Sequence, residues 1–186
     1  MKSAIDDQQL TQLALSACRG TPADVERFFG AVYADVQRFI SHLDGAHRAE
    51  DLTQETFVRA LRGLPAFAGR SSARTWLLSI ARRVVIDRYR SAARRPVVTG
   101  LAEWQHVVER SQAGAVPGWE EGVALTALLD EVPWERRAPF VLTQILGLSY
   151  AEAADALQCP IGTVRSRVAR TRAQLAGTIR AAERPA

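Results

Sequence analysis

The sequence predicts an all-α protein made of two small helical domains joined by a flexible linker. Three observations carry that expectation. Apolar residues recur at helical spacing along most of the chain, with almost no strand-like alternation. The pattern lapses once, between about residues 92 and 118, where Pro96, Gly100, Gly114, Pro117 and Gly118 gather. At 186 residues, 47% hydrophobic and 24% charged, the chain can bury two modest cores but not a large multi-step enzyme. The expected divisions are therefore 1–91, 92–118 and 119–186.

The elements follow in order. Leu10, Leu13, Ala14 and Ala17 form a first stripe that ends near Gly20. Thr21 then caps a second helix with Pro22 at its first position, and its stripe runs Val25, Phe28, Phe29, Val32, Val36, Phe39, Ile40, Leu43. A third helix covers about Ala46–Arg62, with Leu52, Thr56 and Ala60 inward. Residues 63–71 (GLPAFAGRS) have the glycine and proline of a loop. Ser72 can cap a fourth helix through Trp76, Leu77, Ile80, Ala81, Val84 and Val85 to Tyr89. Trp76 and Phe57 sit on apolar stripes and are expected to pack in the core rather than stack on bases.

The linker is mildly acidic, with Glu103, Glu109, Glu120 and Glu121 in or beside it, and Trp104, Val107 and Val108 suggest a helical turn. Beyond it a helix begins near Trp119, and Pro133 opens another that Gly147 ends. Pro139 falls inside that second helix, where it removes a backbone bond; an altered helix start is the expected outcome. Asp87 lies four residues after Arg83 and three before Arg90, spacing that suits an intrahelical partner.

Charge is unevenly distributed. The net value is only +4, and Lys2 is the single lysine. Residues 62–95 carry nine arginines and one acid, and residues 160–186 carry six arginines and one acid. Residues 1–61 and 96–159 each hold nine acids, against six and three basic residues. Two basic blocks separated by acidic stretches point to two polyanion-facing surfaces. No apolar run is long enough to span a membrane, and the polar, acidic amino terminus does not resemble a signal peptide, so no membrane insertion and a cytoplasmic location are expected. Cys18 and Cys159 match no metal-ligand spacing, and Cys159 reads as a small apolar turn residue.

The sharpest motif is SYAEAADALQCPIGTVRSRVARTR at 149–172. Ser149 and Glu152 form a capping box, Ala154 allows a close helix crossing, and Leu157, Ile161, Val164 and Val168 lock two helices together. Gln158-Cys159-Pro160 makes the turn, and Thr163 can cap the second helix. Arg165, Ser166, Arg167, Ala169 and Arg170 then lie on or beside its outer face, as in a helix-turn-helix whose second helix enters the major groove. Gln158 occupies a turn position where glycine would be cheaper.

Residues 49–62 (AEDLTQETFVRALR) and 70–90 (RSSARTWLLSIARRVVIDRYR), followed by that motif, resemble the bacterial extracytoplasmic-function (ECF) sigma factors of RNA polymerase. The resemblance covers about residues 8–180. It implies that the first domain is sigma region 2 and the last is region 4, recognising the −10 and −35 promoter elements. It assigns binding of the core polymerase, through a coiled coil of the β′ subunit, to Asp51, Gln54 and Glu55. Their spacing places three acceptor-rich side chains together on one helix. The loop 63–72 resembles the segment that captures a flipped base, giving Phe67, Arg70 and Ser72 as −10 candidates. Arg74, Arg82, Arg83 and Arg90 are candidates for phosphate contacts. Thr163, Arg165, Ser166, Arg167, Ala169 and Arg170 are the −35 candidates. The implied partners are core RNA polymerase (β′ and β subunits) and promoter DNA, with room for an anti-sigma factor.

No cofactor, metal site or catalytic set is expected. His42, His47 and His106 are scattered, and surface helix ends are the expected places for the first two. The alternative reading is a stand-alone helix-turn-helix regulator that binds an operator. It explains 149–172 but leaves the DLTQE face and the arginine-rich fourth helix without a role.

Overall fold

The computed structural model describes residues 6–94 and 119–182, and the side chains of 6–92 and 125–182. All regular elements among them are helical, and no strand is present among the described residues. They are α1 (Asp7–Ala17), α2 (Pro22–Asp44), α3 (Ala46–Gly63), α4 (Ala73–Arg94), α5 (Trp119–Asp130), α6 (Trp134–Phe140), α7 (Tyr150–Leu157) and α8 (Ile161–Ala182). α4 continues to Arg94, into the stretch 92–118 expected to be linker, and residues 95–118 lie outside the described residues. Trp104, Val107, Val108, Glu103, Glu109 and His106 lie outside the described residues.

Local chemistry sets the helix ends. At the start of α2, Thr21 N and Oγ1 each donate to Asp24 Oδ2 at 2.9 Å, with Pro22 at the first helical position. The helix stops at Gly45, whose φ of +86° favours a residue without a Cβ. Ser72 Oγ accepts from Thr75 N at 3.1 Å and caps α4. Ser149 and Glu152 form the reciprocal capping box of α7.

The first four helices surround one apolar interior. Phe28, Val32, Val36, Phe39 and Ile40 of α2 meet Ala60 of α3 and Leu77, Leu78, Ala81 and Val85 of α4, all buried. Trp76 packs on Phe67 with ring centroids 5.0 Å apart, and Phe57 lies between Phe29 and Tyr33, so both aromatics serve packing. Each such ring buries a large apolar surface, on the order of 150–250 Å². Among the last four helices, Leu129, Ala138, Leu142, Ala153, Leu157, Val164 and Val168 form a second interior.

Pro139 departs from expectation. It lies inside α6 rather than at a new helix start, and Val141–Ile145 continue as a turn of π-helix. Proline lacks the N–H that would bond back one turn, and its ring crowds the preceding carbonyl; the widened turn accommodates both. Leu146 N then donates to Val141 O at 3.0 Å. Gln158 takes the left-handed conformation, φ 52° and ψ 48°, at the end of α7, as its turn position demands.

The two helical groups pack together. α4 lies against α7, while α2 touches α5 and α6, and the buried apolar residues form one continuous cluster. Arg137 bolts the groups. Its guanidinium, in a residue only 8% exposed, donates to Asp130 Oδ1 at 2.9 Å, Val132 O at 3.1 Å and, across the junction, Leu43 O at 3.4 Å.

Candidate nucleic-acid and polymerase interface

α8 presents the clearest surface. Val164 and Val168 turn inward against α7 and are buried, which fixes the opposite face outward. Arg165, Ser166, Ala169 and Arg170 are exposed, and Thr163 and Arg167 sit at its edge. Arg165 and Arg170 have no polar partner among the described residues. Ser166 Oγ donates to Thr163 O at 3.0 Å, leaving its lone pairs available. Nearby, Arg172 is committed to Gln144 Oε1 and Thr171 Oγ1 to the carbonyls of Arg136 and Arg167.

α4 carries a denser but less available set of arginines. Arg74 lies with Nε 2.8 Å from Asp35 Oδ2, an ionic contact too far off the N–H axis to be a hydrogen bond. Its Nη2 donates to Leu146 O of the other helical group at 2.8 Å. Arg82 lies over the Trp134 ring, 5.8 Å from its centroid. Burial pushes its pKa down, with Arg83, Arg167 and Arg90 adding to the depression. Arg83 and Arg90 are exposed and have no partner among the described residues.

Arg88, adjacent in the same helix, holds the fold. Its Nε donates to Asp44 Oδ2 at 2.6 Å, and Arg48 Nε reaches the same oxygen at 2.9 Å; the Asp44 side chain is 1% exposed. Asp87 binds Arg59 of α3 and not its own helix neighbours, which corrects the intrahelical pairing read from spacing. Helical spacing allowed either solution, and the crossing of α3 over α4 brought the longer-range cation within reach.

The loop before α4 divides its candidates. Arg70 is exposed at the tip, and Ser72 is half-buried and used as the cap. Phe67 is 8% exposed, with its ring turned onto Trp76. On α3, Asp51, Gln54 and Glu55 are all exposed. Glu55 accepts from Arg59 Nε at 2.8 Å, so Asp51 and Gln54 are the less encumbered pair. Val58 and Leu61, 45% and 52% exposed, continue the same face one and two turns on. The sequence reading missed them, although unpaired apolar residues at that spacing are their signal.

Among the described residues there is no cluster of metal-ligating side chains, and no helix is long and apolar enough to cross a membrane. His42 lies at the end of α2 as expected but is largely buried, and its Nδ1 has no hydrogen-bond partner among the described residues.

A helix-turn-helix beside an arginine-lined four-helix group defines a DNA-reading protein of two parts. Family comparison narrows the class. The Sigma-70 region 2 model matches residues 25–95, and the Sigma-70 region 4 model matches residues 122–175. Over 170 residues, the chain is 46% identical to the ECF RNA polymerase sigma factor SigC of Mycobacterium tuberculosis, covering 91% of each. It is 33% identical to the ECF sigma factor EcfG of Rhodopseudomonas palustris, covering 80% of this chain and 81% of that one. The chain belongs to the ECF family of RNA polymerase sigma factors. Its fold resembles the sigma factor RpoE of Bartonella quintana, solved with the anti-sigma factor NepR, at a TM-score of 0.67 and 24% identity, covering 84% and 97% of the two chains. It also resembles CnrH, solved with the cytosolic domain of CnrY, at a TM-score of 0.66 and 24% identity, covering 95% and 99%.

Proposed function

We propose that this sigma factor divides its work among three surfaces: α3 grips core polymerase, α4 and its preceding loop hold the −10 element, and α8 reads the −35 element. The observation that carries this is the outward face of α8, where Arg165 and Arg170 stand exposed above a buried helix crossing, with no polar partner among the described residues. Such arginines read guanine through two parallel hydrogen bonds.

On α3, Asp51 and Gln54 offer acceptors to a basic coiled coil of the β′ subunit, with Glu55 available once Arg59 is satisfied by Asp87 alone. Arg83, Arg90 and Arg70 track the phosphates of the opened strand, and Arg74 and Arg82 join when the helical groups separate. Strand opening needs no chemistry from the protein. Bases held by the −10 surface are unavailable for re-pairing, and that differential binding shifts the duplex toward the open state. An anti-sigma factor that occupied either the α3 or the α4 face would block the same steps. On this reading the protein acts on chromosomal promoters and therefore in the cytoplasm.

Run-off transcription with core polymerase tests the reading directly. Full-length protein should give discrete start sites, and Asp51→Ala with Gln54→Ala should weaken core binding without altering promoter choice. High affinity for a free-standing operator, with no effect of core enzyme, would support the stand-alone regulator instead.

A further inference from the structure

The two helical groups meet where α2 ends. His42 stands in the last turn of α2, largely buried, and its Nδ1 is enclosed with no hydrogen-bond partner among the described residues. Burying a polar nitrogen unpaired is unfavourable, and burying it charged is more so. The next residue is Leu43, whose carbonyl accepts from Tyr89 of α4 at 3.0 Å and from Arg137 of the other group at 3.4 Å. The imidazole is therefore one residue from the bond that crosses the junction.

The charges around the ring leave no place for another cation. Arg38, one turn earlier on α2, and Arg137 of α6 face it, and Asp130 of α5 opposes them. Asp130 is already engaged, since its Oδ1 accepts from Arg137 Nη1 at 2.9 Å. Asp44, two residues on, is shared by Arg48 and Arg88. From α4 comes Tyr89, a neutral hydroxyl bound to Leu43 O, and the π turn Val141–Ile145 has no titratable residue. Burial first, and then the two arginines, hold the imidazole below its ordinary value near 6.5. A protonated His42 competes with Arg137 for Asp130, and the two cations then face each other across the junction. Separation removes that conflict. Arg137 and Asp130 leave together, and His42 keeps the carbonyl end of α2, where the helix dipole favours a cation.

We infer that His42 is a pH-sensitive latch: neutral, it lets the two helical groups pack together; protonated, it drives them apart while each stays folded. The separated form takes up the proton first. Packing is therefore complete above about pH 6.5 and is lost as pH falls toward the depressed value, by up to about tenfold in the packed-to-separated ratio per pH unit. Opening frees Arg74 from Leu146 O and Arg82 from the Trp134 ring. The latch belongs to the junction and does not depend on the roles proposed for the three surfaces.

The full-length chain alone, followed by small-angle X-ray scattering from about pH 8 to about pH 5, tests the latch, with far-UV circular dichroism on the same samples. The radius of gyration of the parent should rise as pH falls below about 6.5, with helicity unchanged. His42→Gln, neutral throughout, should stay compact, and His42→Lys should already be expanded at about pH 8. His42→Gln retains Asp7, Asp35 and Glu152 around Arg74, so a response that survives in it belongs to those carboxylates and overturns the inference. A parent that stays compact at about pH 5 overturns it, as does His42→Lys remaining compact at about pH 8. Loss of helicity in step with expansion overturns it too, because the helical groups would then be unfolding and not parting.

Discussion

α4 and α8 carry similar sequence signals, arginines interleaved with a buried apolar stripe, yet the structure treats them differently. On α8 the outward arginines Arg165 and Arg170 are exposed and have no polar partner among the described residues. On α4 the set is split three ways. Arg88 is tied to buried Asp44, Arg74 and Arg82 are engaged at the junction with the other helical group, and Arg83 and Arg90 remain open. Charge density alone therefore overstates how many α4 arginines are available to a ligand. Packing the two helical groups together engages part of the α4 arginine set and leaves that of α8 exposed.

The comparison can be broken most severely at Asp44. Asp44→Ala would strand two guanidinium groups in a largely enclosed site and should cost about 3 kcal/mol, read as a lower midpoint in denaturant unfolding. That is the low end for such a lesion because Arg48 and Arg88 reach solvent in part. If stability is unchanged and −10 binding falls instead, Arg88 belongs with the DNA-facing arginines. On α8, Arg165→Ala or Arg170→Ala should each cost about 1–3 kcal/mol of −35 discrimination, confined to one base position and visible in transcription from promoter variants. Equal weakening on all sequences would instead mark them as phosphate contacts.

A smaller effect sharpens the junction. Trp134→Ala removes the ring under Arg82 and should make single-strand binding steeper in salt, by about 0.7 in the logarithmic slope for one additional phosphate contact. The junction should also respond to pH. Burial holds the His42 imidazole below its ordinary value near 6.5, with Arg38 and Arg137 pushing the same way and Asp130 opposing. The unfolded chain therefore takes up that proton first. Stability from neutral His42 is complete above about pH 6.5 and is lost as pH falls toward the depressed value. His42→Leu should flatten that part of a stability–pH profile. The smallest expected change is at the turn: Gln158→Gly relieves a left-handed non-glycine residue and should stabilise by about 1 kcal/mol or less, with no change in promoter choice.

Much of the fold was legible because its signals are local. The Thr21 and Ser149 caps, the loop before α4 and the helix-turn-helix each depend on residues within a few positions of one another. Trp76 and Phe57 could be assigned to packing because their stripe neighbours are apolar. Asp87 was misassigned because its partner, Arg59, comes from another helix. Arg137 gave no warning either: nothing in WERRAPF distinguishes an arginine that will be buried from one that will be solvated. Val58 and Leu61 were visible as apolar residues, but only the crossing of α2 and α4 under α3 showed which side they face.

The sequence by itself determined the helices, their caps, the helix-turn-helix and the family, since capping, periodicity and turn chemistry act over one or two turns of chain. Tertiary structure decided which arginines lack a partner among the described residues and which carboxylates hold the others. The physical reason is reach. A guanidinium on a long side chain can satisfy any acceptor the fold brings near it, so its role is set by which helices cross and not by its neighbours in sequence.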